Sequence, residues 1–430
     1  MAKTFRPYVP EQDLLLPPSL GDWLPDDDLA YFVSDLVDQL DLSAITDPYE
    51  TEERGYPPYH PVMLTKVLVY AYCVGVFSSR KIQARLARDV AFRVLAAGNE
   101  PDFRTIADFR QRHLAALQGL FTQVLRLARE AGALSLGRVA IDGSKVKAHA
   151  SKHKAMSYKR MVEKEQHLEQ EVHHLLTQAE ATDGQEDTQY GRDRRGDELP
   201  AELRRRETRL ARIREAKRVL EDRARERAEA EGRDAKAAQP DDKAQYNFTD
   251  PESRIMKGPE GFVQAYNTQI AVEATCQLIV GQTVTQAVND KQQLAPMIET
   301  VVAQAGEAPQ EVLADSGYCS EATLTTLATT DVDVYLATGR LAHGETPPCP
   351  RGPLPTGATL TDRMRRKLQT KRGKDVYRWR KAIVEPVFGQ IKHARGFRQF
   401  LLRGLAKVQG EWALVCLGHN VLKFHGLCST

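Results

Sequence analysis

The sequence predicts an α/β protein that carries a long helical insertion and is preceded by an all-α N-terminal domain, and three patterns support this. Residues 61–132 place apolar side chains at helical spacing with no strand-like run among them. Residues 151–245 are dense in Glu, Arg, Lys and Gln, with apolar residues three and four positions apart. Around and beyond that segment, short β-branched runs alternate with helical stretches, the pattern of a sheet covered by helices.

The helical N-terminal domain is expected over residues 1–135. Within it MLTKVLVYAYCVGVF, SSRKIQARLARDVAFRVLAAG and TIADFRQRHLAALQGLFTQVLRLAREAG read as three helices. Ser78 or Ser79 and Thr105 are the expected N-caps, Thr105 with Asp108 as a weak capping box, and Gly98 and Gly132 are the expected stops. Arg80, Lys81, Arg85 and Arg88 on the second helix fit either a helix-turn-helix-like DNA-binding module or a plain bundle with a solvated basic face.

Val139 to Ile141 read as a short buried strand that delivers Asp142 at its C-terminal end, where open α/β sheets bind ligands. The charge-rich segment 151–245 then gives two long amphipathic helices, expected to be antiparallel, with ATDGQEDTQYGRDRRGDELP between them as a mobile loop. Mixed-sign faces usually denote a solvated structural arm; a grip on DNA or on a second protomer is the functional alternative. GFVQAYNTQIAVEA and CQLIVGQTVTQAV alternate like strands around a turn near Ala274 to Gln277. LAPMIETVVAQAGE reads as a helix, EVLAD as a strand ending at Asp315, SEATLTTLATT as a helix and DVYLAT as a strand. This order is that of a ribonuclease H-like catalytic domain, expected over residues 136–430 and interrupted by 151–245 and by a Pro-, Gly- and basic-rich insertion at 340–376.

At 430 residues and 42% apolar content the chain is long enough for two or three domains with proper cores. Its 60 Lys and Arg against 58 Asp and Glu give a net charge of only +2, so any nucleic-acid binding rests on local basic faces. Six cysteines without CxxC spacing indicate neither a zinc ribbon nor a disulfide framework, and a reducing cytoplasm is the expected home. The first twenty residues lack the pattern of a secretory signal, and Met63 to Phe77, interrupted by Lys66, falls short of the roughly 20 residues that span a bilayer. With neither GxxxxGK[ST] nor GxGxxG after a strand, no nucleotide cofactor is expected.

Asp142, Asp315 and Glu385 in WRKAIVEPVFGQIK read together as a divalent-metal site for phosphodiester chemistry, although each alone fits an ordinary turn or surface residue. Hard oxygen donors suit Mg²⁺ or Mn²⁺, and a pair of such ions about 3.5–4 Å apart supports phosphoryl transfer. A helix running through Glu385 would put Lys381 and Lys392 on about one face with Arg378 close by, either as phosphate contacts or as a solvated stripe. Pro386 complicates this, since it either kinks that helix or begins it. Asp290, Asp250 and Glu273 are rival carboxylates, with Asp290 expected as a helix cap. His149 and His153 lack zinc spacing and read as polar surface groups or DNA contacts.

IDGSKVKAHASKHKAMSY, NFTDPESRIMKGPEGFVQAYNTQIAVE, VLADSGYCSEATL and IVEPVFGQIKHARGFRQFLLRGLAKVQGEWALVCLGHNVLKF resemble the DDE-type transposases of bacterial insertion sequences. The likeness covers Asp142 to the C-terminus well and the helical N-terminus more loosely. It implies metal-dependent DNA cleavage at element ends and strand transfer into target DNA. Asp142, Asp315 and Glu385 would be the catalytic and metal-binding triad, holding two Mg²⁺ or Mn²⁺ ions. The family's signature around the glutamate is Y-x2-R-x3-E-x6-K, which Glu385 and Lys392 match. Lys381 stands at its arginine position with Arg380 one step before, and Arg378 at its tyrosine position with Tyr377 adjacent. Lys392, Lys381, Arg380 and Arg378 are the expected DNA contacts. The implied partners are double-stranded DNA, as terminal inverted repeats and as target, and further copies of the chain as a homodimer or higher oligomer. The implied setting is the bacterial cytoplasm, at the nucleoid when DNA is bound, with no membrane. A ribonuclease H-like nuclease or resolvase, or a catalytically silent DNA-binding derivative, would fit the same residues.

Overall fold

Helix caps and glycine stops divide the N-terminal residues more finely than their apolar periodicity suggests. The structure, a computed structural model, describes residues 19–50, 58–190, 201–258, 261–339, 351–354 and 356–428. Before the first strand it has α1 (Leu29–Asp38), α2 (Ser43–Glu50), α3 (Pro61–Cys73), α4 (Ser79–Leu86), α5 (Val90–Leu95), α6 (Phe103–Arg112) and α7 (Leu114–Glu130). The second expected helix is two, because the Asp89 side chain caps a new start by accepting from Ala91 N. The third is also two, broken at His113. Ser78 occupies an N-cap position without a side-chain bond, whereas Thr105 is no cap: the Asp102 carboxylate accepts from Arg104 N and Thr105 N. Gly98 and Gly132 end their helices at φ +74° and +73°, backbone that a side chain disfavours.

The remaining elements are β1 (Arg138–Lys147), β2 (Ala155–Ser157), α8 (Tyr158–Tyr190), α9 (Ala201–Ala230), β3 (Gln245–Asn247), β4 (Arg254–Gly258), β5 (Gly261–Glu273), β6 (Ile279–Thr285), α10 (Leu294–Ala305), β7 (Glu311–Ala314), α11 (Glu321–Leu327) and β8 (Asp333–Leu336). They are followed by α12 (Leu360–Gln369), α13 (Lys371–Tyr377), α14 (Arg380–Gly389), a π-helical turn (Gln390–Ala394) and α15 (Leu405–Cys428). The main sheet runs β6-β5-β1-β7-β8, with β4 joining the N-terminal half of β5. β1, β5 and β6 are antiparallel neighbours, whereas β7 and β8 run parallel to β1 and to each other. The protein is thus α/β with a mixed sheet.

Insertion 151–245 departs from β1 through the small β2–β3 ribbon, which pairs Met156 with Tyr246 and closes the base of the helical pair. Contacts falling in reverse order, Tyr158 to Glu221, Glu165 to Arg214 and Glu171 to Arg206, make α8 and α9 antiparallel. Met161, Leu168, Leu210, Ile213, Ala216 and Leu220 give the pair a small core of its own. Of the expected mobile loop, residues 181–190 continue α8 and residues 191–200 lie outside the described residues. Of insertion 340–376, residues 340–350 and 355 lie outside them, and most of the rest is α12 and α13. Thr359 and Asp362 form a capping box on α12, and Lys367 reaches Asp333 and Val334 O on β8, so these basic residues clamp a strand.

α15 is apolar around most of its circumference and buried from Val408 to Val421 save the half-buried Gln409. It packs on α3, α7 and β6, so the N-terminal helices and the sheet share one continuous core. It also covers the open edge of β6: Asn420 exchanges two hydrogen bonds with the backbone of Ile279, and Gln409 accepts from Val284 N. Gln304 of α10 does the same for Gln282. Side-chain amides thereby stand in for a missing strand partner. No helix among the described residues is long and apolar enough to cross a membrane.

Gly418 sets how closely α15 approaches α3, since a Cβ there would meet the Tyr72 backbone carbonyl at 2.9 Å. Gly418→Ala should lower the stability read in urea titration by about 1–3 kcal/mol through overpacking. Gly426→Ala, with nothing within 4 Å of the added carbon, should be neutral or stabilise slightly.

Candidate active site

Parallel pairing of β1 with β7 aligns Val139 with Val312 and Ala140 with Leu313. Continuing that register by two residues brings Asp142 opposite Asp315. Asp315 follows β7 directly, but Asp142 is in the middle of β1 rather than at its end as expected. β5 holds β1 through Lys147, whereas pairing to β7 stops at Ala140, so β1 has lost its β7 partner where the aspartate sits. Each carboxylate is steadied by a nearby glycine amide: Gly143 N donates to Asp142 at 2.8 Å and Gly317 N to Asp315 at 2.8 Å.

Burial, then the charge of Asp315, pushes the Asp142 carboxyl up to about 6, against the lowering influence of Arg380. That arginine joins the third acid to the first. Its guanidinium lies 3.4 Å from Asp142 Oδ2 through Nη1 and 3.4 Å from Glu385 Oε1 through Nη2, with only 10% of its side chain exposed. Glu385 projects from α14, which begins at Arg380 and runs through Pro386. The proline cannot donate to Ala382 O four residues back, and Gln277 Nε2 from the β5–β6 turn fills that vacancy at 3.1 Å. The helix is therefore continuous across the proline and does not start there.

The four basic residues expected at this end have different surroundings. Arg380 is buried between the carboxylates. Arg378 and Lys381 are exposed, Arg378 lying 3.9 Å from Asp375 and stacked on Trp379. Lys392, in the π-helical turn, donates to Ser144 Oγ and Lys145 O on β1; burial holds its ammonium down to about 8, with Asp142 opposing the shift. Tyr377 faces inward, its hydroxyl donating to Ala314 O beside Asp315 at 3.3 Å. The spacing Tyr377-x2-Arg380 is thus the inward-facing pair, followed by four residues rather than three before Glu385. The extra residue is about 100° of helix rotation, which turns the neighbours Arg378 and Lys381 to solvent.

A fourth carboxylate belongs to the cluster. Asp290 does not cap α10, whose N-cap is Gln293. Its Oδ1 accepts from Asn267 Nδ2 at 2.6 Å, Gln269 Nε2 at 2.7 Å and Lys145 Nζ at 3.5 Å. A Cβ at Gly143 would clash with Gln269 Nε2 and fall 2.8 Å from Asp290 Oδ1, and one at Gly317 would lie 3.8 Å from Oδ2, so Asp290 reaches the glycines beside both aspartates. Its signal in the sequence was an acid just beyond a third strand of the same sheet. The other rivals are structural: Glu273 accepts from three amides of the β5–β6 turn, and buried Asp250 accepts from Tyr266 OH. His149 O accepts from Arg403 Nε, and His153 is exposed in the turn before β2.

Among the described residues no three His, Cys, Asp or Glu side chains are arranged to ligate an ion in this conformation, in which Arg380 lies between Asp142 and Glu385. The donor chemistry nevertheless suits a hard divalent cation: Asp142 and Asp315 are oxygen donors close enough to repel, and added positive charge relieves that repulsion.

Because the folded-state value of Asp142, about 6, exceeds its ordinary 3.8, the folded protein binds this proton more tightly. Stability is then lost as pH rises between those values and stays lower above them. Asp142→Asn should accordingly stabilise the metal-free protein at neutral pH by up to about 3 kcal/mol, at about 1.4 kcal/mol per pH unit. Thermal melts in a chelator should show that difference shrinking towards pH 4.

Two family profiles match the chain: a transposase domain (DUF772) over residues 18–112 and a transposase DDE domain over residues 355–425. The second spans Glu385, Lys392 and most of α15, and neither spans the strands carrying Asp142 and Asp315. No curated protein and no solved structure matches. Transposase sequence thus stands on both sides of the sheet that carries Asp142 and Asp315, and the two matches support a DDE-type transposase of an insertion sequence.

Proposed function

We propose that this transposase acts on DNA through Asp142, Asp315 and Glu385, cleaving phosphodiester bonds at element ends and transferring the freed 3′ ends into target DNA. The observation that carries the reading is the β1–β7 register, which aligns two aspartates separated by most of the catalytic region. The strand order β6-β5-β1-β7-β8, with its last two strands parallel to β1, supports a ribonuclease H-like domain. The DDE match supports a divalent-metal requirement. Two such ions, when bound, would supply nucleophile activation and charge neutralisation at the phosphate.

The chain's own groups divide the remaining work. Asp142, Asp315 and Glu385 would hold the ions through hard oxygens, and Asp290, anchored by two amides, would keep the strand at Asp142 and Gly143 in place. Arg380 neutralises two of the acids, so ion binding competes with its ion pairs. Lys392 fixes the β1 backbone just beyond Asp142, while exposed Arg378 and Lys381 are placed to meet flanking phosphates. The helical N-terminal domain, with exposed Lys81 on α4 and exposed Arg88 just beyond its end, would add contacts to the duplex. Pairing two terminal repeats calls for at least two protomers.

Cleavage of element-end duplex with Mg²⁺ should fall about 1000-fold in Asp142→Ala, Asp315→Ala and Glu385→Ala, since metal ligation is worth several kcal/mol at the transition state. Asp290→Ala should cost about 10–100-fold, the usual effect of an outer-shell partner. Undiminished cleavage in any triad variant removes that residue from the centre. Equal cutting of DNA without the repeats would mark a general nuclease, and binding without cleavage a silent derivative.

A further inference from the structure

The helical insertion has two chemically different flanks. On one, the cations of α9 are matched by acids: Arg214 pairs with Glu165 and Glu169, Lys217 with Glu165 and Arg218 with Glu215. On the other, Arg205, Arg209 and Arg212 follow i, i+4, i+7 spacing, are exposed, and have no acidic partner among the described residues. They face a cavity of about 450 Å³ at the hairpin base, closed by His153, Lys154 and Phe248. A second cavity of about 330 Å³ shares His153 and adds Lys152 and Arg160. No acidic residue lines either cavity among the described residues. In a chain whose acids and bases almost balance, an unmatched cationic strip of this kind carries self-repulsion that an anionic partner would relieve.

We propose that this strip binds the phosphate backbone of duplex DNA, so that the insertion is an accessory DNA clamp. The inference rests on the DNA-acting reading above and adds a contact surface to it. Seven residues of helix rise about 10 Å, matching three phosphate steps of about 3.4 Å along one strand. Phe248, 37% exposed and packed edge-on against Tyr246, forms an apolar wall suited to the sugar face of a backbone. The His153–Lys154 wall of the cavity follows the strand that carries Asp142 in the chain. β1 covers about 17 Å from Asp142 to Lys147, five base-pair steps, and the chain enters the Lys152–Lys154 turn five residues later.

The test is equilibrium binding of a fluorescein-labelled duplex of arbitrary sequence to the full chain in EDTA, between about 50 and 200 mM salt. Each phosphate contact contributes about 0.9 to the slope of log affinity against log salt. The triple variant Arg205→Gln, Arg209→Gln, Arg212→Gln should bind roughly ten- to a hundredfold more weakly, with the slope shallower by about 2.7. The matching triple Lys variant should retain both affinity and slope, which separates charge from folding. Arg214→Gln with Arg218→Gln, on the paired flank, should change neither. Unaltered affinity and slope in the Gln triple, an equal loss in the paired-flank control, or an equal loss in the Lys triple would each overturn the proposal. So would a change of sedimentation without a change of DNA binding, which would mark a protein interface. Full-length protein that binds no DNA at all would sink the broader DNA-acting reading too, whereas normal binding with an unchanged slope sinks the clamp alone.

Discussion

Concentrated negative charge is the constraint around which this molecule is arranged. The β1–β7 pairing leads up to Asp142 and Asp315, Asp290 reaches the glycines beside both and Glu385 closes from a helix. Placing acids together in a partly buried crevice is unfavourable, and the upward shift of Asp142 to about 6 records that cost. Neutralisation comes from within the chain: Arg380 bridges two of the acids, and Lys145 approaches Asp290 at 3.5 Å. A site held by such internal cations is coherent without ligands and still retains its attraction for further positive charge.

Holding that crevice requires the helices to be fixed relative to the sheet, and α15 does much of this. It is buried against α3, α7 and β6 at once, and its amide side chains satisfy the backbone edge of β6. Glycines at 410 and 418 permit the approach, since an added carbon would strike Leu114 or the Tyr72 carbonyl. The N-terminal helices thereby share a core with the catalytic strands, so a disturbance in either is felt by both.

The segment around Glu385 illustrates how helix phase assigns roles that a linear motif leaves open. Tyr377 and Arg380 face the sheet, while Arg378 and Lys381, which occupy the family's tyrosine and arginine positions, face solvent. One added residue before the glutamate is a rotation of about 100°, enough to exchange inward and outward neighbours. Pro386 stays inside the helix only because Gln277, distant in sequence, satisfies the carbonyl it frees.

The sequence by itself determined most of the element types and the strand that ends at Asp315, because both depend on local patterns: helical periodicity at 61–132 and 151–245, and β-branched runs before Asp142 and Asp315. It also carried the likeness to DDE-type transposases, which the profile match across Glu385 and Lys392 supports. What tertiary structure decided was everything dependent on which side chains meet. Asp290 read as a helix cap and proved to lie in the carboxylate cluster, since its partners Asn267 and Gln269 come from another strand. Arg380 read as a DNA contact, yet it lies between two acids separated by more than two hundred residues. The unmatched face of α9 was equally invisible, because whether an arginine has a partner depends on the antiparallel register of α8 beside it. Local propensity acts over a few residues, whereas pairing of charges is fixed only when the sheet register and helix phase bring distant residues within a few ångströms.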